Sequence, residues 1–171
     1  EGMVKSTYGT GCFLLMNTGN NFIESESKLL STKAYNIFDK KDFALEGSIF
    51  NAGTVVQWMR DEMHFINDAS KVEELANNST NEIQFIPAFT GLGAPYWNSD
   101  VRGQITGITR ATSKADIAMA ALKSICYQTR DLLECLFKDT ELKRNDFTIR
   151  VDGGMSQNNL MMQLLSDITQ V

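Results

Sequence analysis

A chain of 171 residues with 43% hydrophobic content and only two prolines is long enough for one globular domain with a real core, and too apolar to remain disordered. Its formal net charge of −5 argues against a nucleic-acid backbone or an anionic membrane as main partner, since both call for a basic face, so any phosphate it binds has to be held locally. Cys12, Cys126 and Cys135 form no CxxC pair and His64 stands alone, which argues against a disulfide framework or a metal site and fits a reducing cytoplasm.

No apolar stretch reaches the ~20 residues needed to span a bilayer. The first residues, Glu1-Gly2-Met3-Val4-Lys5, lack the basic and apolar regions of a signal peptide. Without a start methionine, and ending at Val171 just past a helix, the sequence reads as an internal piece.

In chain order, Tyr8 to about Ile23 predicts paired strands with turns at Gly9-Thr10-Gly11 and Thr18-Gly19-Asn20-Asn21. A strand at Phe43-Ala44-Leu45 follows. Ile49, Ala52, Val56, Met59, Met63 and Ile66 recur every three or four residues and predict one amphipathic helix. The polar run Asn77–Asn81 is a loop, and Ile83–Phe89 predicts a strand feeding the loop from Thr90 to Trp97. Gln104–Thr109 predicts another strand. Ser113 with Asp116 three residues on is a capping-box pattern that opens a long helix through Ala118, Leu122, Ile125, Leu132 and Leu136. Phe147–Val151 predicts a strand ending in Asp152-Gly153-Gly154, and a helix from Ser156 carries Met161, Leu164, Leu165 and Ile168 on one side. Strands alternating with helices predict an α/β layer architecture in a single unit spanning 1–171.

Two glycine loops are candidate ligand sites. Gly9-Thr10-Gly11 is a hairpin turn by default, yet its glycines let backbone N–H groups approach an anion and its threonine hydroxyl can donate to a phosphate oxygen. Asp152-Gly153-Gly154 is also a turn by default, but between strand and helix it points a ligand at a helix N-terminus, where unpaired amides favour negative charge. Gly53 and Gln57 lie one turn apart inside the predicted amphipathic helix, where close packing explains the glycine as readily as a ligand does. No G-x-x-x-x-G-K-[ST], no G-x-G-x-x-G and no Gly-x-Ser-x-Gly occurs, which removes the P-loop, Rossmann and serine-hydrolase readings.

Four segments together carry a resemblance: Thr7-Tyr8-Gly9-Thr10-Gly11-Cys12-Phe13, Pro87-Ala88-Phe89-Thr90-Gly91-Leu92-Gly93-Ala94-Pro95-Tyr96-Trp97, Ser124-Ile125-Cys126-Tyr127-Gln128-Thr129-Arg130-Asp131 and Arg150-Val151-Asp152-Gly153-Gly154. In this order they resemble the glycerol kinases of the FGGY carbohydrate kinase family, and the Gly-Leu-Gly-Ala-Pro-Tyr-Trp loop is the most specific of them. The resemblance implies an actin-like ATPase (ribonuclease H-type) fold, here an incomplete second domain of a two-domain sugar kinase. It implies ATP with Mg²⁺, glycerol as substrate and sn-glycerol 3-phosphate as product.

By position in the motifs, Thr10, with Gly9 and Gly11, would meet the transferred phosphate. Gly53 and Gln57 would line the nucleotide cleft, Gly154 and Asn158 with Gly153 would hold the adenosine end, and Phe13 would reach the apolar side of glycerol. The resemblance places the catalytic carboxylate and most of the glycerol pocket upstream of Glu1, in a missing N-terminal domain, and implies a cytoplasmic homo-oligomer at full length. A kinase for another polyol or a ketose, or a non-catalytic remnant, stays open at this point.

Overall fold

The computed structural model describes residues 1–38, 40–144 and 148–171. Four strands, β1 (Val4–Tyr8), β2 (Cys12–Gly19), β3 (Leu30–Ile37) and β4 (Lys40–Ile49), come first in the chain. Helix α1 (Gly53–Asp61) follows, then a 3₁₀ turn at Ala69–Lys71 running into the short α2 (Val72–Ala76). Strands β5 (Gln84–Ile86) and β6 (Gln104–Thr106) precede the long α3 (Lys114–Asp139). The described chain closes with β7 (Ile149–Asp152), a 3₁₀ turn at Gly154–Gln157 and α4 (Asn159–Thr169).

The main sheet has the order β3-β4-β2-β1-β7, antiparallel except for the parallel pair β1 and β7. A separate ribbon pairs β5 with β6. Alternation decides which face is buried: Val4, Ser6 and Tyr8 on β1 and Cys12, Leu14 and Met16 on β2 point inward, while Lys5 and Phe13 point out. The inward set joins Val55, Val56 and Met59 of α1, Leu122, Ile125, Leu132, Leu133 and Leu136 of α3, and Met161 and Leu165 of α4 in one core.

The Tyr8 hydroxyl within this core is paired. The Thr129 hydroxyl donates to the Ile125 carbonyl at 3.0 Å, which leaves its oxygen to accept the Tyr8 hydroxyl at 2.9 Å. Burial pushes the Cys12 and Cys126 thiols up to about 12, leaving both as packing groups rather than nucleophiles. Among the described residues, no helix is long and apolar enough to cross a membrane.

The capping box forms as expected: Ser113 Oγ accepts from the Asp116 N–H at 3.4 Å, and Asp116 Oδ2 accepts from the Ser113 N–H at 2.8 Å. Its aspartate also reaches across the fold, accepting on Oδ1 from Ser79 Oγ and from the N–H groups of Thr80 and Asn81 at 2.8–2.9 Å. These bonds, the Asn81 amide first, hold the buried Asp116 carboxyl well below the usual carboxylate range. One side chain therefore caps α3 and anchors the polar loop that leads to β5.

Several elements differ from the sequence expectation. The first strand is Val4–Tyr8, upstream of the expected start at Tyr8, and β3 had no expectation at all. The helix expected from Ile49 to Ile66 shrinks to Gly53–Asp61, because Ile49 is the last inward residue of β4 and Met63 and Ile66 lie past the helix end. Strand β6 stops at Thr106, where Gly107 takes φ +81 and leaves the extended region. The expected start of β7 at Phe147 lies outside the described residues. The helix expected from Ser156 is a 3₁₀ turn followed by α4, whose first turn is capped by Asn158.

Candidate functional site

Helix α1 begins where the hairpin between β1 and β2 turns. Its N-cap, Ala52, makes no side-chain cap bond. Instead the turn supplies the acceptors: Ala52 N–H and Thr54 N–H donate to the Thr10 carbonyl at 2.9 and 3.0 Å, and Gly53 N–H donates to the Gly9 carbonyl at 2.9 Å. Contact is so close that a Cβ on Gly53 would stand 2.4 Å from the Gly9 oxygen. Gly53 is thus the first residue of α1, not an interior one, and its missing side chain serves the docking of turn on helix. Because the carbonyls of the turn are consumed in this way, Thr10 is left exposed, and its hydroxyl makes no hydrogen bond among the described residues.

The second loop leaves β7 beside β1. Gly153 adopts φ +92, and a Cβ there would meet the Tyr8 carbonyl oxygen at 2.2 Å, so this glycine serves the turn itself. Gly154 is the opposite case. A Cβ on it would find nothing within 4 Å, so no protein neighbour accounts for its small size.

That open space is a cavity of about 330 Å³ between α1, the 69–73 segment and the 3₁₀ turn before α4. It is lined by Gly53, Val56, Gln57, Arg60, Ala69, Ser70, Val72, Glu73, Gly154, Met155, Gln157 and Asn158. The structure therefore brings together Gly53, Gln57, Gly154 and Asn158, four of the residues singled out in the sequence. Gly9, Thr10 and Gly11 do not line the cavity but adjoin it through the bonds to Gly53 and Thr54. Gly153 lies behind it, against β1. Phe13, 51% exposed on the outward face of β2, is not brought to it.

Asn158 has two tasks. Its Oδ1 accepts from the Met161 N–H at 2.8 Å, which caps α4 and fixes the orientation of the amide, while its Nδ2 makes no hydrogen bond among the described residues. Glu73 Oε2 accepts from the Asn159 N–H at 3.1 Å and ties α2 to the start of α4. A larger groove of about 870 Å³ lies alongside and shares Arg60. Its charges are already matched, Arg60 bidentate on Asp61 at 2.6 and 2.9 Å and Lys71 on Glu74 at 3.1 Å. The smaller cavity, with its unpartnered amide and open glycine, is the better ligand site.

Sequence reasoning missed Val56, Arg60, Ser70, Glu73, Met155 and Gln157. Val56 and Arg60 fall at helical spacing from Gly53 and were open to the periodicity argument. The segment 69–73 gave no signal, because a five-residue helix carries too little pattern.

Asp152 has a settled partner. Lys5 Nζ lies 2.8 Å from its carboxylate, both side chains are half exposed, and the lysine together with Thr7 holds the carboxyl below its ordinary value. Among the described residues, no group of three His, Cys, Asp or Glu side chains is gathered to hold a metal ion.

Comparison with known proteins follows the same lines. The chain is 52% identical over 169 residues to a glycerol kinase of Rhizobium meliloti, which covers 98% of this chain and 34% of that one. Among solved structures, Plasmodium falciparum glycerol kinase with ADP superposes with a TM-score of 0.88 at 39% identity, covering 99% of this chain and 34% of the other. A ligand-bound xylulose kinase from Lactobacillus acidophilus superposes with a TM-score of 0.81 at 23% identity over the same shares, and shows the fold alone. The chain spans about a third of the length of the curated relatives it matches. Its fold is that of the actin-like ATPases, and since residues 4–171 match the FGGY family of carbohydrate kinases, C-terminal domain, the chain belongs to that family.

Proposed function

We propose that this chain is the nucleotide-binding part of an ATP-dependent glycerol kinase, one partial domain spanning 1–171 that works with a preceding N-terminal domain in a cytoplasmic homo-oligomer. The observation that carries the reading is the cavity lined jointly by α1 and the Gly154–Asn158 segment, with Thr10 at its edge. Identity of 52% to a glycerol kinase supports glycerol over a ketose as the acceptor.

In the proposed reaction a terminal hydroxyl of glycerol attacks the γ-phosphorus of ATP in line, giving sn-glycerol 3-phosphate and ADP. Phosphoryl transfer asks a protein chiefly for positioning and charge stabilisation. The Thr10 hydroxyl, without a hydrogen-bond partner among the described residues, donates to the transferred phosphate; Gly53 and Gln57 flank the nucleotide; Gly154 lets the sugar approach bare backbone. Mg²⁺ bound with ATP would supply charge neutralisation on the phosphates, and would ask few ligands of the protein. The proton goes to the carboxylate that the family resemblance places in the preceding domain, and Asp152, engaged by Lys5, is not given that role. Phe13, on the outward sheet face, is assigned to the glycerol side of the cleft.

The test is ADP release by the full-length protein that carries this segment, with glycerol, with a ketose such as xylulose, and with neither. Glycerol-dependent release is expected. Release with the ketose alone, or glycerol-dependent release by the isolated 171 residues, overturns the assignment.

A further inference from the structure

We propose that Glu73 selects the base of the nucleotide, by accepting a hydrogen bond from an exocyclic amino group and rejecting a 6-oxo purine. This rests on the reading of the cavity as a nucleotide site, and it adds a residue to which nothing in the motifs gave a role.

Orientation of the cavity comes first. The polyphosphate end is set by the hairpin turn, which bonds to the first residues of α1 at Gly53 and Thr54. Helix α1 runs from there to Arg60, about 10 Å along its axis at the rise of an α-helix. Arg60 and Lys71 line one adjoining groove together, so the start of α2 lies at the Arg60 end, away from the turn. Glu73 of α2 and Asn158 before α4 are joined there through the Asn159 N–H. A nucleotide laid with its phosphates toward Thr10 brings its base to these two side chains.

The chemistry of the pair is complementary to adenine. Glu73 Oε2 is held at 3.1 Å by the Asn159 N–H, while Oε1 makes no hydrogen bond among the described residues. A carboxylate is an acceptor only. Asn158 Nδ2 is a donor with no partner among the described residues, its orientation fixed by the Met161 N–H donating to Oδ1. One acceptor beside one donor matches the adenine edge, with its 6-amino donor and adjacent ring-nitrogen acceptor. A 6-oxo purine puts an oxygen against the carboxylate and leaves two acceptors facing each other.

The experiment compares kcat/KM for ATP and for ITP, which differs at the purine 6-position, in the full-length enzyme and in Glu73→Gln. The variant keeps an acceptor oxygen for the Asn159 N–H and turns a donor toward the base. Expected is a clear ATP preference in the unmodified enzyme, and a fall of that preference by about ten- to a hundredfold in the variant, with ITP gaining as ATP loses. Equal use of ATP and ITP by the unmodified enzyme overturns the proposal without any variant. So does a variant that lowers both nucleotides alike, which reduces Glu73 to a tie between helices. Gly154→Val in the same assay separates the two levels: an unchanged KM for ATP there sinks the cavity reading itself, whereas a raised KM beside an unchanged ATP-to-ITP ratio in Glu73→Gln removes base selection alone.

Discussion

On the proposed reading, removing the Thr10 hydroxyl separates folding from catalysis at one atom. The backbone of Thr10 carries the structural work, its carbonyl taking N–H bonds from Ala52 and Thr54 at 2.9 and 3.0 Å, and alanine keeps that carbonyl. The hydroxyl itself is exposed and makes no hydrogen bond among the described residues. Thr10→Ala should therefore change stability by no more than about 0.5 kcal/mol, the range of surface substitutions that touch nothing. Its effect on turnover should be far larger. A preorganised donor aimed at a shifting charge is worth ~10²-fold in rate, about 2.7 kcal/mol of barrier. The assay is kcat at saturating ATP and glycerol in the full-length enzyme, with a thermal melt of each variant. Thr10→Ser keeps the oxygen and should recover much of the rate, while Thr10→Val keeps the shape and should not. Alanine and unmodified enzyme turning over alike would refute the reasoning and return the loop to a plain hairpin turn.

Two further outcomes follow from the same geometry. Gly154→Val fills space that holds no protein atom within 4 Å, so it should leave the melt unchanged and raise KM for ATP on the order of tenfold, with KM for glycerol nearly constant. Asp116→Asn puts a donor among the six donors that converge on the carboxylate and should lower Tm by more than about 5 °C at pH 7. Because the native Asp116 carboxyl is held below its unfolded value of about 3.9, the stability it gives is complete above about pH 4 and is lost as pH falls through the depressed native value. The gap between the two melts should narrow in acid, and a gap that widens there would show that the carboxylate is not the stabilising form.

Legibility in the sequence tracked how much pattern each element carries. Helix α3 could be read because a capping box and a long apolar stripe agree, and both survive in the structure. Strand β3 could not, since Leu-Ser-Thr-Lys-Ala-Tyr-Asn-Ile is an exposed edge strand with no alternation to detect. The overlong first helix shows a different failure. Ile49 and Ala52 fit a helical period by coincidence, while register in the sheet claims Ile49 opposite Cys12.

Glycine identity was legible and glycine purpose was not. Gly53, Gly153 and Gly154 are all candidate ligand glycines in the sequence, yet a Cβ on the first two would stand 2.4 and 2.2 Å from carbonyl oxygens and only the third opens on empty space.

Asp152 shows why a prominent acidic residue is not thereby a base. It stands at the end of β7 in the motif that first draws the eye, next to the glycines that reach the cavity. A general base works best with a pKa near the operating pH, reached by burial or by like charge. Asp152 has neither. It is half exposed, faces Lys5 at 2.8 Å across the parallel pair β1 and β7, and is held below its ordinary value by that lysine and by Thr7. Taking a proton would cost it the ion pair. What the pair does is pin β7 to β1 one residue before Gly153 packs on the Tyr8 carbonyl, and that packing sends the chain into the turn where Gly154 faces the cavity. The acid of this motif thus places the glycine that faces the cavity, and on the proposed reading the proton of the acceptor hydroxyl leaves by another carboxylate.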